Sequence, residues 1–560
     1  MMENEFTICK NYINIPVRNG SDKRLMRFYC EGKIIREFEI ELTGEKPDFW
    51  VYTDVSGLKG KAVRITVDEL TGDGFTGNRS AADENVLDQI IQSDAIKDEE
   101  SIYSEKLRPQ FHFSSKRGWL NDPNGLLYYK GEYHLFYQHN LYGWNWGNMH
   151  WGHAISRDLV HWEELGDALY PDEMGTMFSG AGVVDKNNTA GFQDGEEKPL
   201  ILIYTAAGGT LLSKGKPFTQ CIAYSNDRGR TWIKYDKNPV LEHIAGTNRD
   251  PKVVWHEPTR MWIMTLFLEK NDYAVFVSKD LKAWERSCNI QIPGCTECPD
   301  LFELPVDGDA NNKKAVFWGA NGSYIIGNFD GRTFTAESKV LHSNSGNCSY
   351  AAQTWNNVPE EGRCIQIAWC KQDLPGMPFN QFMTFPCELA LRTTEEGVML
   401  FTNPIEEIEK LYKVKHKCKG LILKKGVHSH SSGKQAETEH HLSSEEKSCL
   451  FDIRAVIYTG TAEEICLNVR GVPIVYKVKE QTLNCLGKSV HMKAYNWKIS
   501  LRVLVDRASI EIFGNRGQVY MPMSVLLEDE NRSLLLSTEG GEAVADSLEI
   551  YELKNIWNEY

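Results

Sequence analysis

The feature that most constrains this chain is a motif that returns four times. Ser156-Arg-Asp158-Leu-Val-His-Trp162 is echoed by Ser225-Asn-Asp227-Arg-Gly-Arg-Thr-Trp232 and by Ser278-Lys-Asp280-Leu-Lys-Ala-Trp284. A degenerate copy follows as Asn328-Phe-Asp330-Gly-Arg-Thr-Phe334. Each copy closes a β-rich run, such as His150–Ile155, Gln220–Tyr224, Tyr273–Val277 and Gly322–Gly327. The last three copies recur about every 50 residues, the period of a four-stranded propeller blade. In that arrangement an Asp-containing turn precedes an aromatic that packs between blades. The plainer alternative is a recurring hairpin turn with no larger meaning, which four copies in register disfavour.

On either side of the repeats the pattern changes. The first hundred residues alternate like strands, as in Arg24–Tyr29 and Ala62–Val67. The polar stretch Glu84–Glu105 reads as a linker, with a short helix over Val86–Ile91. After a short helix at Pro404–Leu411, runs such as Ser500–Val505 and Ser509–Phe513 return at the spacing of an antiparallel sandwich. The polar run His428–Lys447 reads as a loop. The expected organisation is all-β: an accessory β-domain and linker over 1–100, a propeller over 101–411, and a β-sandwich over 412–560.

Charge and cysteine usage narrow the partners. A net charge of −15 repels phosphates, so nucleic acid and anionic membranes are not expected. No stretch approaches the roughly 20 apolar residues of a membrane helix. The 14 cysteines follow no regular framework, and Met1–Phe6 lacks the basic and apolar regions of a signal peptide, so a cytoplasmic location is expected. A neutral carbohydrate is the expected partner, no cofactor is implied, and a homo-oligomer is compatible with the composition.

Three acids carry the candidate chemistry. Trp119-Leu-Asn121-Asp122-Pro-Asn-Gly125 is strong turn chemistry, yet it lies between strand-like runs rich in aromatics. Asn248-Arg249-Asp250-Pro251 and Thr296-Glu297-Cys298-Pro299-Asp300 open strands of later repeats. Each acid therefore begins a blade's first strand, which aims all three at the propeller axis. Breaking a glycosidic bond with retention needs a carboxylate nucleophile and a carboxylic acid about 5–5.5 Å apart. The acid must hold its proton at working pH, so its pKa is expected to be raised. No candidate acid precedes Glu105, and the first hundred residues are expected to be dispensable for the chemistry.

Other tempting sites read less well. Cys295-Thr-Glu-Cys298 has no second pair to complete a zinc site and no thioredoxin-like context. His150 and His153 fall on opposite faces of a strand and do not ligate jointly. Trp144 and Trp146 share a face; for Trp144 a core role and a sugar platform weigh equally.

At these residues the chain resembles glycoside hydrolase family 32, the invertases, β-fructosidases, inulinases and levanases. The resemblance rests on Trp119–Gly125, Met149–His153, Phe178–Gly180, Arg249–Pro251, Glu297–Asp300, and Val505–Arg507 with Glu511. It implies a five-bladed propeller followed by a sandwich. It also implies Asp122 as nucleophile, Asp250 as transition-state stabiliser and Glu297 as acid/base. Asn121, Gln138, Trp146, Phe178, Ser179 and Arg249 are similar to fructose-site residues, and Trp369 is expected to line the pocket. The resemblance breaks at Asn344–Ser349, where many members carry aspartates. The function implied is retaining, exo-acting hydrolysis of β-fructofuranosyl linkages in sucrose, fructo-oligosaccharides or fructans. Fructosyl transfer on the same scaffold and a non-catalytic fructan-binding module are the alternatives.

Overall fold

A computed structural model of the chain describes residues 2–69, 86–210, 212–360, 362–424 and 448–557; the run His428–Lys447 lies outside them. The centre is a five-bladed β-propeller. Its blades start with the strands Gly118–Tyr129, Thr176–Val184, Arg249–His256, Asp300–Val306 and Ser349–Thr354. Each blade is an antiparallel meander running outward from that strand. Middle strands such as Leu200–Ala207 are buried along their whole length, because blades pack on both of their faces. Five apolar clusters sit between neighbouring blades and close the ring, the last joining blade five back to blade one through Ile365, Met383, Leu120 and Trp162.

The repeated motif is the turn between the third and fourth strands of blades one to four. In each copy one aspartate oxygen accepts two backbone N–H groups, those of Val160 and His161 for Asp158, and of Arg230 and Thr231 for Asp227. Asp280 and Asp330 do the same for Lys282 and Ala283, and for Arg332 and Thr333. Each turn also passes through the left-handed region, at Leu159, Arg228, Leu281 and Gly331. The aromatic that follows packs on the preceding blade, as Trp232 does on Phe136 with ring centres 5.5 Å apart. Both readings of the repeat are therefore true at once: it is a hairpin turn, and it marks blades. Blade five turns through Thr394–Gly397 without the aspartate.

The sandwich pairs a six-stranded sheet with a five-stranded one over an apolar core. Strands such as Glu464–Val469 alternate buried and half-buried positions, as a sheet with one dry face requires. A buried latch fixes it to the propeller. His112 meets Asp506 through Nδ1 at 2.8 Å and Glu511 through Nε2 at 2.9 Å. Burial opposes a charge there, but the two carboxylates lift His112 to about 9.

The N-terminal strands form a four-stranded sheet, ordered Met2–Thr7, Ala62–Glu69, Arg24–Cys30 and Lys33–Ile40, beside a three-stranded one. The stretch read as a linker contributes Ile91–Ser93 to that smaller sheet, pairing with Tyr12–Asn14, and Val86 and Ile90 enter the same core. It departs from the linker expectation because its few apolar side chains complete a small core that would otherwise stay open.

Candidate active site

The three acids stand where the innermost strands begin. Asp122 lies in the strand Gly118–Tyr129, Asp250 is the second residue of Arg249–His256, and Glu297 just precedes Asp300–Val306. Asp-Pro-Asn-Gly is a bulged strand and not a turn, with register shifts on both sides of Pro123–Asn124. Packing overrides the turn chemistry here. Gly125 sits at φ +59, and a Cβ added to it would come within 2.6 Å of the Phe136 ring. Asp250, Glu297 and Cys298 are also in the left-handed region, where each non-glycine residue stores on the order of 1–3 kcal/mol of strain.

The acids meet at Cys298. Its thiol lies 3.6 Å from Asp122 Oδ2 and 3.5 Å from Asp250 Oδ2, and its backbone N–H donates to Asp250 Oδ2 at 3.2 Å. Asp122 also accepts from Ser179 Oγ at 2.7 Å and from Asn121 Nδ2 at 3.1 Å; Trp119 Nε1 in turn fixes Asn121 at 2.9 Å. The Asp250 backbone is tied to Thr205 Oγ1 at 3.0 Å. Arg249 donates to Glu297 Oε1 at 2.5 Å and lies 3.6 Å from Asp250. The Tyr350 hydroxyl donates to Glu297 Oε2.

This geometry sorts the protons. Burial drives Asp250 up to about 7, and the neighbouring Asp122 and Glu297 charges add to the rise against the pull of Arg249. Burial also raises Asp122, less so because Ser179 and Asn121 stabilise its anion. Glu297 goes the other way. Burial pushes it up, but Tyr350 and Arg249 together hold it below its ordinary value. The expectation of a raised acid at Glu297 is therefore not met: both of its oxygens are occupied by donors, and the raised groups are Asp250 and, to a lesser degree, Asp122.

The remaining predicted residues surround this cluster. Gln138 is buried and donates to the Met177 carbonyl at 2.8 Å, two residues before Ser179. Phe178 and Trp146 meet edge-on at 6.1 Å, with Trp146 54% exposed at the rim. Trp369 stands edge-on to Trp119 at 5.9 Å and to Tyr350 at 6.1 Å. Trp144 turns away and packs against the N-terminal core. The segment Asn344–Ser349 is taken up by the sandwich, where the Ser345 and Asn347 N–H groups donate to the Tyr520 and Pro522 carbonyls at 2.8 and 3.1 Å. Cys295 and Cys298 diverge, the first toward Asn321 at 3.0 Å and the second into the acid cluster.

Sequence reasoning missed Tyr350 and Lys371. Lys371 Nζ lies 3.6 Å over the Tyr350 ring and 4.8 Å from that of Trp369; burial lowers its pKa while Asp122 and Glu297 hold it up. Nothing local marks either residue, since blade five brings them to the axis.

A propeller whose axis ends in three carboxylates, with the pKa of one raised toward neutrality by burial, carries the equipment of a glycoside hydrolase. The chain belongs to glycosyl hydrolase family 32. Residues 112–404 match the family's N-terminal domain and residues 408–552 its C-terminal domain. Among similar proteins is a levanase of Bacillus subtilis, 38% identical over 518 residues, spanning 84% of this chain and 74% of that one. The crystal structure of an exo-inulinase from Aspergillus awamori superposes with a TM-score of 0.72 at 27% identity, over 81% of this chain and all of that one. A fructofuranosidase from Schwanniomyces occidentalis complexed with fructose gives 0.71 at 27% identity, over 81% and 99%.

Proposed function

We propose that this chain is a retaining, exo-acting β-fructosidase that removes terminal fructosyl units from fructans, fructo-oligosaccharides or sucrose. The observation that carries the reading is that Asp122 and Asp250 both meet Cys298, the residue that follows Glu297, while Arg249 joins Glu297 to Asp250. The levanase, exo-inulinase and fructofuranosidase relatives support the substrate class, and the exo-inulinase supports cutting from the end.

In this mechanism the Asp122 carboxylate attacks the anomeric carbon while Glu297 gives its proton to the departing oxygen. Glu297 then takes a proton from water, whose oxygen displaces Asp122 and restores the starting configuration. Asp250 accepts hydrogen bonds from the ring hydroxyls, which strengthen as positive charge develops on the sugar. Binding also supplies the acid. Sugar hydroxyls that donate to Asp250 favour its anion, and Arg249, turning to the sugar, releases one oxygen of Glu297. The proton that Asp250 holds before the sugar binds is thereby moved to Glu297.

Asp122→Asn tests the reading. It should leave folding intact and reduce turnover on sucrose and short fructans by several orders of magnitude, because no fructosyl-enzyme can form. Near-normal turnover by a folded variant would overturn it.

A further inference from the structure

The N-terminal sheet ends in an edge strand, Lys33–Ile40, whose outer side pairs with no strand among the described residues. That edge is occupied by the blade-one loop that follows Asn140. Asn148 treats Glu39 as a strand partner would: its Oδ1 accepts the Glu39 N–H at 2.8 Å, and its Nδ2 donates to the Glu39 carbonyl at 2.7 Å. One residue back, Phe38 stacks on Tyr142 with ring centres 3.5 Å apart and planes 6° from parallel. Tyr142 is fully buried, and its hydroxyl meets Thr53 Oγ1 at 3.1 Å. One residue further back, Glu37 Oε1 accepts the Leu212 N–H at 3.3 Å, in the blade-two loop that leads to Phe218.

Both loops belong to the face that carries the acids. Asn140, where the first loop leaves its strand, pairs with Trp119, three residues before Asp122. Trp146 lies in that loop between the partly buried Trp144 and the anchored Asn148, and its ring meets Phe178, which in turn meets Phe218 at 5.5 Å. The rim Trp146–Phe178–Phe218 is thus held through three consecutive residues of one N-terminal strand. Trp146 is half exposed and its indole N–H meets no hydrogen-bond partner among the described residues, so its position depends on where the loop is fixed.

We propose that Asn148, through Glu39 and Phe38 of the N-terminal domain, is a positioning residue for Trp146, so that the first hundred residues set substrate affinity while leaving the chemical step alone. The proposal rests on the reading of Trp146 as a residue that contacts the sugar. Asn148→Ala removes the two-point pairing, together with the bond from Asn148 Nδ2 to Asn140 Oδ1 at 3.0 Å within the loop, and this loss predicts a KM for a trisaccharide fructan such as kestose raised roughly three- to tenfold, with kcat within about twofold.

A double-mutant cycle with Trp146→Ala separates positioning from general stability. Trp146→Ala alone should raise KM, and adding Asn148→Ala to it should then change KM by less than about twofold. If Trp146→Ala leaves KM unchanged, the sugar-contact reading of Trp146 fails. If Trp146→Ala raises KM but Asn148→Ala does not, or if Asn148→Ala has the same effect in both backgrounds, the positioning proposal fails. Should Asn148→Ala not fold, Phe38→Leu, which loses the stack on Tyr142, enters the same cycle with the same expected and contrary outcomes.

Discussion

Lys252 and Asp300 form an ion pair on the propeller axis, and removing one partner should be among the costliest single changes in the chain. Their side chains are 1% and 0% exposed, and Nζ lies 3.1 Å from Asp300 Oδ2. The ammonium also donates to the Thr354 carbonyl at 2.6 Å and to its Oγ1 at 3.1 Å. Asp300 Oδ2 accepts from Thr354 N and Oγ1 at 2.8 and 2.9 Å. The three strands joined here carry Asp250, Glu297 and Tyr350 a few residues upstream. Lys252→Met has nearly the right shape but leaves Asp300 buried with an uncompensated charge, which costs about 3–5 kcal/mol. At about 2–4 °C per kcal/mol for a large domain, the calorimetric midpoint should fall by roughly 6–20 °C. Adding Asp300→Asn removes that charge while keeping an oxygen for the Thr354 N–H, so the double variant should recover at least half of the loss. A single variant that loses less than about 1 kcal/mol, or a double variant no more stable than the single, would refute the argument.

Two further predictions concern pH. The productive free enzyme carries one proton in its acid cluster, held chiefly by Asp250, so kcat/KM should fall as pH rises through about 7. In Asp250→Asn that limb should move to lower pH, because the proton is then shared between Asp122, raised less than Asp250, and Glu297, held below its ordinary value; an unmoved limb would contradict the assignment. The His112 latch contributes stability that is full below the unfolded value near 6.5 and is lost as pH rises through about 9. That rise corresponds to about 3 kcal/mol at 1.36 kcal/mol per unit, and denaturation of His112→Gln across this window should lack the decline seen in the parent chain.

The parts of the fold that were legible in the sequence are those built by local chemistry. A short side chain that accepts two N–H groups two to four residues on is a role that aspartate fills, so the Asp158, Asp227, Asp280 and Asp330 turns announce their blades. Blade five turns without one, and its existence follows from the family resemblance and not from the repeat. The same local logic misleads at Asp122–Gly125, where neighbouring strands and the Phe136 and Trp151 rings impose an extended bulge on turn-forming residues. Trp144 and Trp146 look equivalent in sequence, but one is claimed by the N-terminal core and the other is left at the rim. The acids could be found because each sits within two residues of a Pro in a strand-opening motif. Tyr350 and Lys371 could not, because only closure of the ring brings blade five to Glu297. The lowered pKa of Glu297 likewise follows from those distant donors and from Arg249.

The central claim is that Asp122 forms a covalent fructosyl-enzyme, with Glu297 serving first as acid and then as base. Proton NMR of the sugar released in the first minutes of hydrolysis, before mutarotation mixes the anomers, tests it most directly. Two displacements restore the starting configuration, so β-fructofuranose should appear first. Initial release of the α-anomer would mean a single displacement by water, and would contradict the role given to Asp122.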